Sequence, residues 1–195
     1  MKPIHSILIG LPVALLLAGC AGTDFVRAQD NTLKLGSTTY QSIRARMGSS
    51  GKEGVVTMND RQFKKLNYVY ASVGGEALYS GVTPARGQTF YFDDQILVGY
   101  DFVSSFKSDN TDFDSAKVSE IKEGISTRAD VISLLGVPAG RYVYPMVKDR
   151  DGEALLYLYS HATGSAFSMK FYVKRLSVEF DSQGTVNKVE FTESS

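Results

Sequence analysis

The sequence predicts an α+β protein in two tandem repeats, each with two short helices packed on a three-stranded antiparallel meander. Three observations predict it. The 195 residues are 43% hydrophobic and 22% charged, too apolar a mixture for a disordered chain. Residues 33–48 align without gaps to 121–136, with Lys34/Lys122, Gly36/Gly124, Thr39/Thr127 and Gly48/Gly136 identical. Downstream of each copy, strand-like patterns echo one another: Tyr68-Val69-Tyr70 matches Tyr157-Leu158-Tyr159, and Phe92-Asp93-Asp94-Gln95 matches Phe180-Asp181-Ser182-Gln183. Matches kept in the same order along the chain indicate an internal duplication. Lys and Arg total 21, as do Asp and Glu, and this balance argues against a nucleic-acid partner held by a basic field.

The chain opens with Met1-Lys2 as a positive start and an apolar run over residues 7–17. That run is shorter than the about 20 residues a membrane-spanning helix needs and fits a secretory leader over 1–19. It ends Leu17-Ala18-Gly19-Cys20, with the only cysteine of the chain at the cleavage point. This arrangement resembles the lipobox of bacterial lipoproteins, which implies that Cys20 becomes the lipidated first residue. A plainer reading is an ordinary leader or short anchor with an incidental cysteine. By the same resemblance, Ala21 after the cysteine points to the outer membrane. Each acyl methylene buried in a bilayer contributes roughly 0.8 kcal/mol, so a multiply acylated Cys20 would anchor the protein without a transmembrane helix.

Residues 20–32 read as a polar, mobile tether. The first repeat, 33–106, begins with Thr38 and Gln41 at the spacing of a helix capping box. Ile43 and Met47 share one helical face, and Gly48 suits the left-handed position after a helix end. Residues 49–59 and 74–88 read as long surface loops, the second either a binding loop or simple slack. A polar link, 107–112, leads into the second repeat, 107–195. There Phe113, Val118 and Ile121 suggest a first short helix. Ser126 caps a second, Val131 and Leu135 form its buried face, and Gly136 and Pro138 end it. Leu176, Val178 and Phe180 alternate as a strand, residues 181–184 turn, and Val189 and Phe191 continue the meander.

The helix pairs followed by strands, with Gly124-Ile125-Ser126, Leu135-Gly136-Val137-Pro138 and the run 178–186, resemble the BamE-like (SmpA/OmlA) family of outer-membrane lipoproteins. The first repeat departs from the family pattern at Ser50, where a proline is usual. The resemblance implies a lipid-anchored outer-membrane protein facing the periplasm. It would act without catalysis, as a protein-binding accessory or scaffold factor in envelope assembly. Its partners would be envelope proteins and, through the lipid on Cys20, the membrane. A tandem of this layout is also similar to the β-lactamase-inhibitory proteins, which implies a second class, an inhibitor of an extracytoplasmic enzyme.

Candidate chemistry is sparse, and no catalytic residue, metal site or cofactor is expected. Ser160 and His161 are adjacent, so in a strand they point to opposite faces and cannot form a dyad through that adjacency. Asp93-Asp94 and Asp149-Arg150-Asp151 sit in turn-like contexts where Asp bonds backbone. Gly74-Gly75 lacks the surroundings of a phosphate loop. An interaction surface is better supported. Tyr68, Tyr70, Tyr157 and Tyr159 share the phase expected to face the helices. That leaves Leu156 and Leu158 on the other face, in need of a cover. They are buried by packing between the repeats, or they meet a partner. Tyr142 and Tyr144, in the run 141–146, have residue types enriched at interfaces, although an edge strand reads the same way.

Overall fold

Hairpin chemistry builds most of the molecule. The computed structural model describes residues 22–164 and 168–194, so the expected leader and Cys20 lie outside the described residues. β1 (Lys52–Met58) turns into β2 (Arg61–Ala71) through Asn59-Asp60, and β4 (Ala85–Asp93) into β5 (Ile96–Ser104) through Asp94-Gln95. All four turn residues have positive φ, the backbone that a tight hairpin between right-twisted strands demands. The second half supplies β6 (Gly140–Val143), β7 (Glu153–Thr163), β8 (Lys170–Phe180) and β9 (Val186–Ser194), while β3 (Val82–Thr83) is a two-residue strand on the far end of β7.

These strands form one nine-stranded sheet in the order β1-β2-β4-β5-β6-β7-β8-β9, with β3 beside β7. This overturns the expectation of two helix-plus-meander repeats. The described chain has two short α-helices, α1 (Tyr40–Met47) and α2 (Arg128–Leu135), and its sheet is continuous and antiparallel. The expected first helices are only 3-10 turns, Asp30–Thr32 and Ser115–Glu120. The physical reason lies at the junction. A three-stranded meander would leave β5 as an open edge; here β5 pairs with β6, Gly99 opposite Tyr142 and Asp101 opposite Gly140, so the edge is consumed. Gly140 permits the approach, because a Cβ there would overlap the Tyr100 carbonyl oxygen. Three strands lie in stretches expected to be loops, β1 in 49–59 and β3 with the start of β4 in 74–88.

What the two halves do share is local. Thr39 caps α1, its hydroxyl accepting from the Ser42 amide, and Thr127 caps α2 in a reciprocal box with Asp130. The caps are therefore one residue later than Thr38 and Ser126, whose hydroxyls accept instead from the amides of Lys34 and Lys122, each at 2.9 Å. Gly48 and Gly136 end the helices at φ 82° and 83° with extended ψ, a conformation nearly reserved for glycine. Their carbonyls accept from the Tyr68 and Tyr157 hydroxyls at 2.9 and 3.0 Å. Each helix packs on the same face of the sheet: Ile43 among Leu66, Tyr68 and Phe90, Val131 among Leu155, Tyr157 and Leu176.

The presumed tether is not free from Gly22 onward. Gly22 bridges to Tyr70, Phe25 and Ala28 are buried, and the buried Gln88 amide accepts from the Ala28 N–H at 2.8 Å and donates to its carbonyl at 3.1 Å. The presumed link is likewise held, Asp109 by Arg86 and Asp112 by Lys174.

Candidate functional site

Successive strand residues alternate faces, so phase assigns each side chain. On β7, Leu155, Tyr157 and Tyr159 lie on the side of the helices; Ala154, Leu156, Leu158 and Ser160 lie on the helix-free side. At one end of that helix-free face Phe63, Val98, Tyr142, Ala154 and Leu156 are buried together with Met146 and Val147. The last two come from the 144–152 segment, which folds back over the sheet. Asn59 Nδ2 donates to the Met146 carbonyl at 2.9 Å and ties this cover to the first half.

The four residues expected to meet a partner do not form one surface. Leu156 has no exposed area and Tyr142 is 4% exposed, so both belong to the core, in a cluster drawn from both halves. Leu158 is half-buried against that cluster. Tyr144 alone reaches the surface, 37% exposed, with the Arg150 guanidinium 5.2 Å from its ring centre. The reason for the correction is the 144–152 cover, which carries Met146 and Val147 onto the positions that seemed to need a partner.

Between the two ends of this face sits a buried carboxylate. Asp101 Oδ2 accepts from the Tyr91 hydroxyl at 2.8 Å and from the Tyr142 hydroxyl at 3.2 Å. Burial raises the Asp101 pKa, against the pull of these two hydroxyls. Burial likewise raises both tyrosines, helped by the Asp101 charge.

Beyond Asp101 the face opens. A groove of about 390 Å³ runs from β2 and β4 to β7 and β8, with Val69, Gly87 and Val103 on the first side and Ala162, Phe171 and Val173 on the second. Val69, Phe171 and Val173 are 52%, 64% and 43% exposed. Asn67, Thr89 and Ser160 supply polar groups, and Thr89 Oγ1 donates to Asn67 Oδ1 at 3.2 Å. Such a trough suits the side chains of a protein or peptide: apolar anchors ringed by hydrogen-bonding groups. Asn67 and Val69 carry the phase of Leu156 and Leu158, and Thr83, Ala85, Arg86 and Gly87 fall within 74–88, the stretch that reads as a binding loop or slack.

The remaining expectations separate cleanly. Asp93 pairs with Arg61 at 2.7 Å and Asp94 sits in the hairpin turn. Asp149 Oδ1 accepts from the Asp151 amide at 3.1 Å. Among the described residues no three His, Cys, Asp or Glu side chains are grouped to hold a metal ion, and Cys20 lies outside them. No family model, no curated protein and no solved structure matches this chain.

Proposed function

We propose that the protein is a non-enzymatic outer-membrane lipoprotein, anchored through Cys20 and facing the periplasm, that binds an envelope protein as an accessory or scaffold factor. The observation that carries the binding role is the open groove, where three exposed apolar side chains from the two halves of one sheet line a common trough. Large apolar side chains exposed side by side, rather than scattered singly, mark interaction surfaces. The lipid role is carried by the leader and the lone cysteine.

Photocrosslinking in intact cells tests the binding role. A crosslinker at Val69 or Val173 is expected to trap a protein of the envelope. One at Val137, exposed just beyond α2, is expected to trap none. Equal adducts at all three positions, or none at the groove, would sink the reading, and an adduct to a secreted enzyme would favour the inhibitor class. Feeding a labelled fatty acid tests the anchor separately. Wild type should carry the label and fractionate with membrane, whereas Cys20→Ser should do neither.

A further inference from the structure

On the opposite, helix-bearing face, beyond the reach of α2, β7 and β8 place a second group of side chains together. Their ladder sets Tyr159 opposite Lys174 and His161 opposite Tyr172. The His161 and Tyr172 rings stack, centroids 4.9 Å apart, and Tyr159 lies 5.5 Å from His161. Tyr79, from the loop before β3, closes the group 6.1 Å from Tyr159, and Asp112 enters from the connection between the halves. These six residues enclose a pocket of about 280 Å³.

The charges in the pocket are spent on each other. Lys174 Nζ is 2.7 Å from Asp112 Oδ1 and also donates to the Phe113 carbonyl. Asp112 Oδ2 accepts from the Tyr79 hydroxyl. Two polar atoms are not spent. The Tyr159 hydroxyl, on a side chain 1% exposed, and His161 Nδ1 are buried and have no hydrogen-bond partner among the described residues. Burial raises the Tyr159 pKa, so its oxygen keeps a proton to donate at physiological pH. An unpaired buried hydroxyl is costly to leave unmet.

We propose that this pocket binds a neutral, hydroxyl-rich ligand the size of one sugar ring. A ligand hydroxyl both donates and accepts, so it answers the Tyr159 hydroxyl and either tautomer of His161. The Lys174–Asp112 pair leaves no free charge to hold an ion. The stacked His161 and Tyr172 rings and the half-exposed Tyr79 ring offer apolar surface to the carbon side of a sugar. The volume, about 280 Å³, is close to the about 300 Å³ at which ligand sites begin and has room for one ring. Its side chains lie on the other face from the groove, and His161 lines both.

His161 makes the test direct, because His5 in the leader is the only other histidine in the chain. The full chain, labelled with ¹⁵N at histidine, is titrated with glucose, galactose and N-acetylglucosamine, and with choline and sulfate as charged comparators. At least one sugar should move the His161 ring signals saturably. Tyr159→Phe loses no hydrogen bond among the described residues, so it should fold and melt no lower than wild type, yet bind that sugar about tenfold more weakly. No saturable movement with any of the three sugars would overturn the proposal in favour of ordered water. So would equal affinity in Tyr159→Phe, or a response only to choline or sulfate.

Discussion

The two ends of the helix-free face share β2, β5 and β7, yet one is core and the other is surface. At the closed end Phe63, Val98 and Leu156 are covered by Met146 and Val147; at the open end Val69, Phe171 and Val173 are not covered. The difference does not come from the sheet. It comes from the connection between β6 and β7, which is long enough to fold back and is tied down by Asn59. A strand's alternation tells which residues share a face, and a loop decides whether that face is interior.

The comparison breaks most readily at the closed end. Leu156→Ala should cost about 2–5 kcal/mol, the range for fully buried leucine, seen as an earlier urea midpoint with an unchanged slope. A loss below 0.5 kcal/mol, the usual range of exposed positions, would mean the cover is not packed as described. The junction between β5 and β6 comes next. Gly140→Ala forces a Cβ against the Tyr100 backbone and should cost about 1–3 kcal/mol, the range for overpacking. Gly136→Ala meets no neighbouring atom but carries positive φ, so it should cost about 1–3 kcal/mol through backbone strain alone. The two differ in where they act: hydrogen exchange should speed along β5 and β6 for Gly140→Ala and at the end of α2 for Gly136→Ala.

Asp101 marks the boundary and should show itself through pH. Its folded pKa lies above its ordinary value of 3.8, so the folded state holds a proton that the unfolded chain releases. Stability from this group is therefore complete below 3.8 and is lost as pH rises through the raised folded value. Asp101→Asn cannot titrate, and its amide oxygen can still accept from Tyr91 and Tyr142. Its stability relative to wild type should grow across that window; a constant difference would show that the carboxylate titrates normally. The smallest effect belongs to the open end. Val69→Ser and Phe171→Ser should each change stability by less than about 0.5 kcal/mol while abolishing the groove crosslinks, the reverse of Leu156→Ala.

Short-range features were legible in the residues and long-range closure was not. The Asp181 turn forms where expected, its carboxylate accepting from the Gln183 and Thr185 amides, both at 2.9 Å. Gly48 and Gly136 do end helices, since only glycine tolerates that backbone. Tyr68 and Tyr157 do point toward the helices. The caps slipped by one residue because Thr38-Thr39 and Ser126-Thr127 offer two adjacent hydroxyls, and both are used. β1 escaped notice because Gly51 and Gly54 and flanking polar residues give Lys52–Met58 the composition of a loop. Pairing between β5 and β6 depends on strands far apart in sequence, and no local pattern encodes it. Of the open groove, Thr83, Ala85, Arg86 and Gly87 fall in the 74–88 stretch that reads as a binding loop or slack, while Phe171 and Val173 carried no signal. Tyr159 and His161 were visible as alternate residues of one strand, but their meeting with Tyr79 and Asp112 is a matter of loop paths.

The grip of Gln88 on Ala28 has a consequence for reach. Many anchored proteins hang from a flexible leash and can search a volume far from the bilayer. Here the chain is fastened to the sheet from Gly22, and only Ala21 lies between that point and Cys20, two residue steps or at most about 7 Å of extended backbone. A lipid on Cys20 would then hold the folded body against the headgroups with almost no slack. Such a protein would meet partners that come to the membrane surface, and lengthening the stretch before Gly22 would convert it from a fixed bollard into a roaming one.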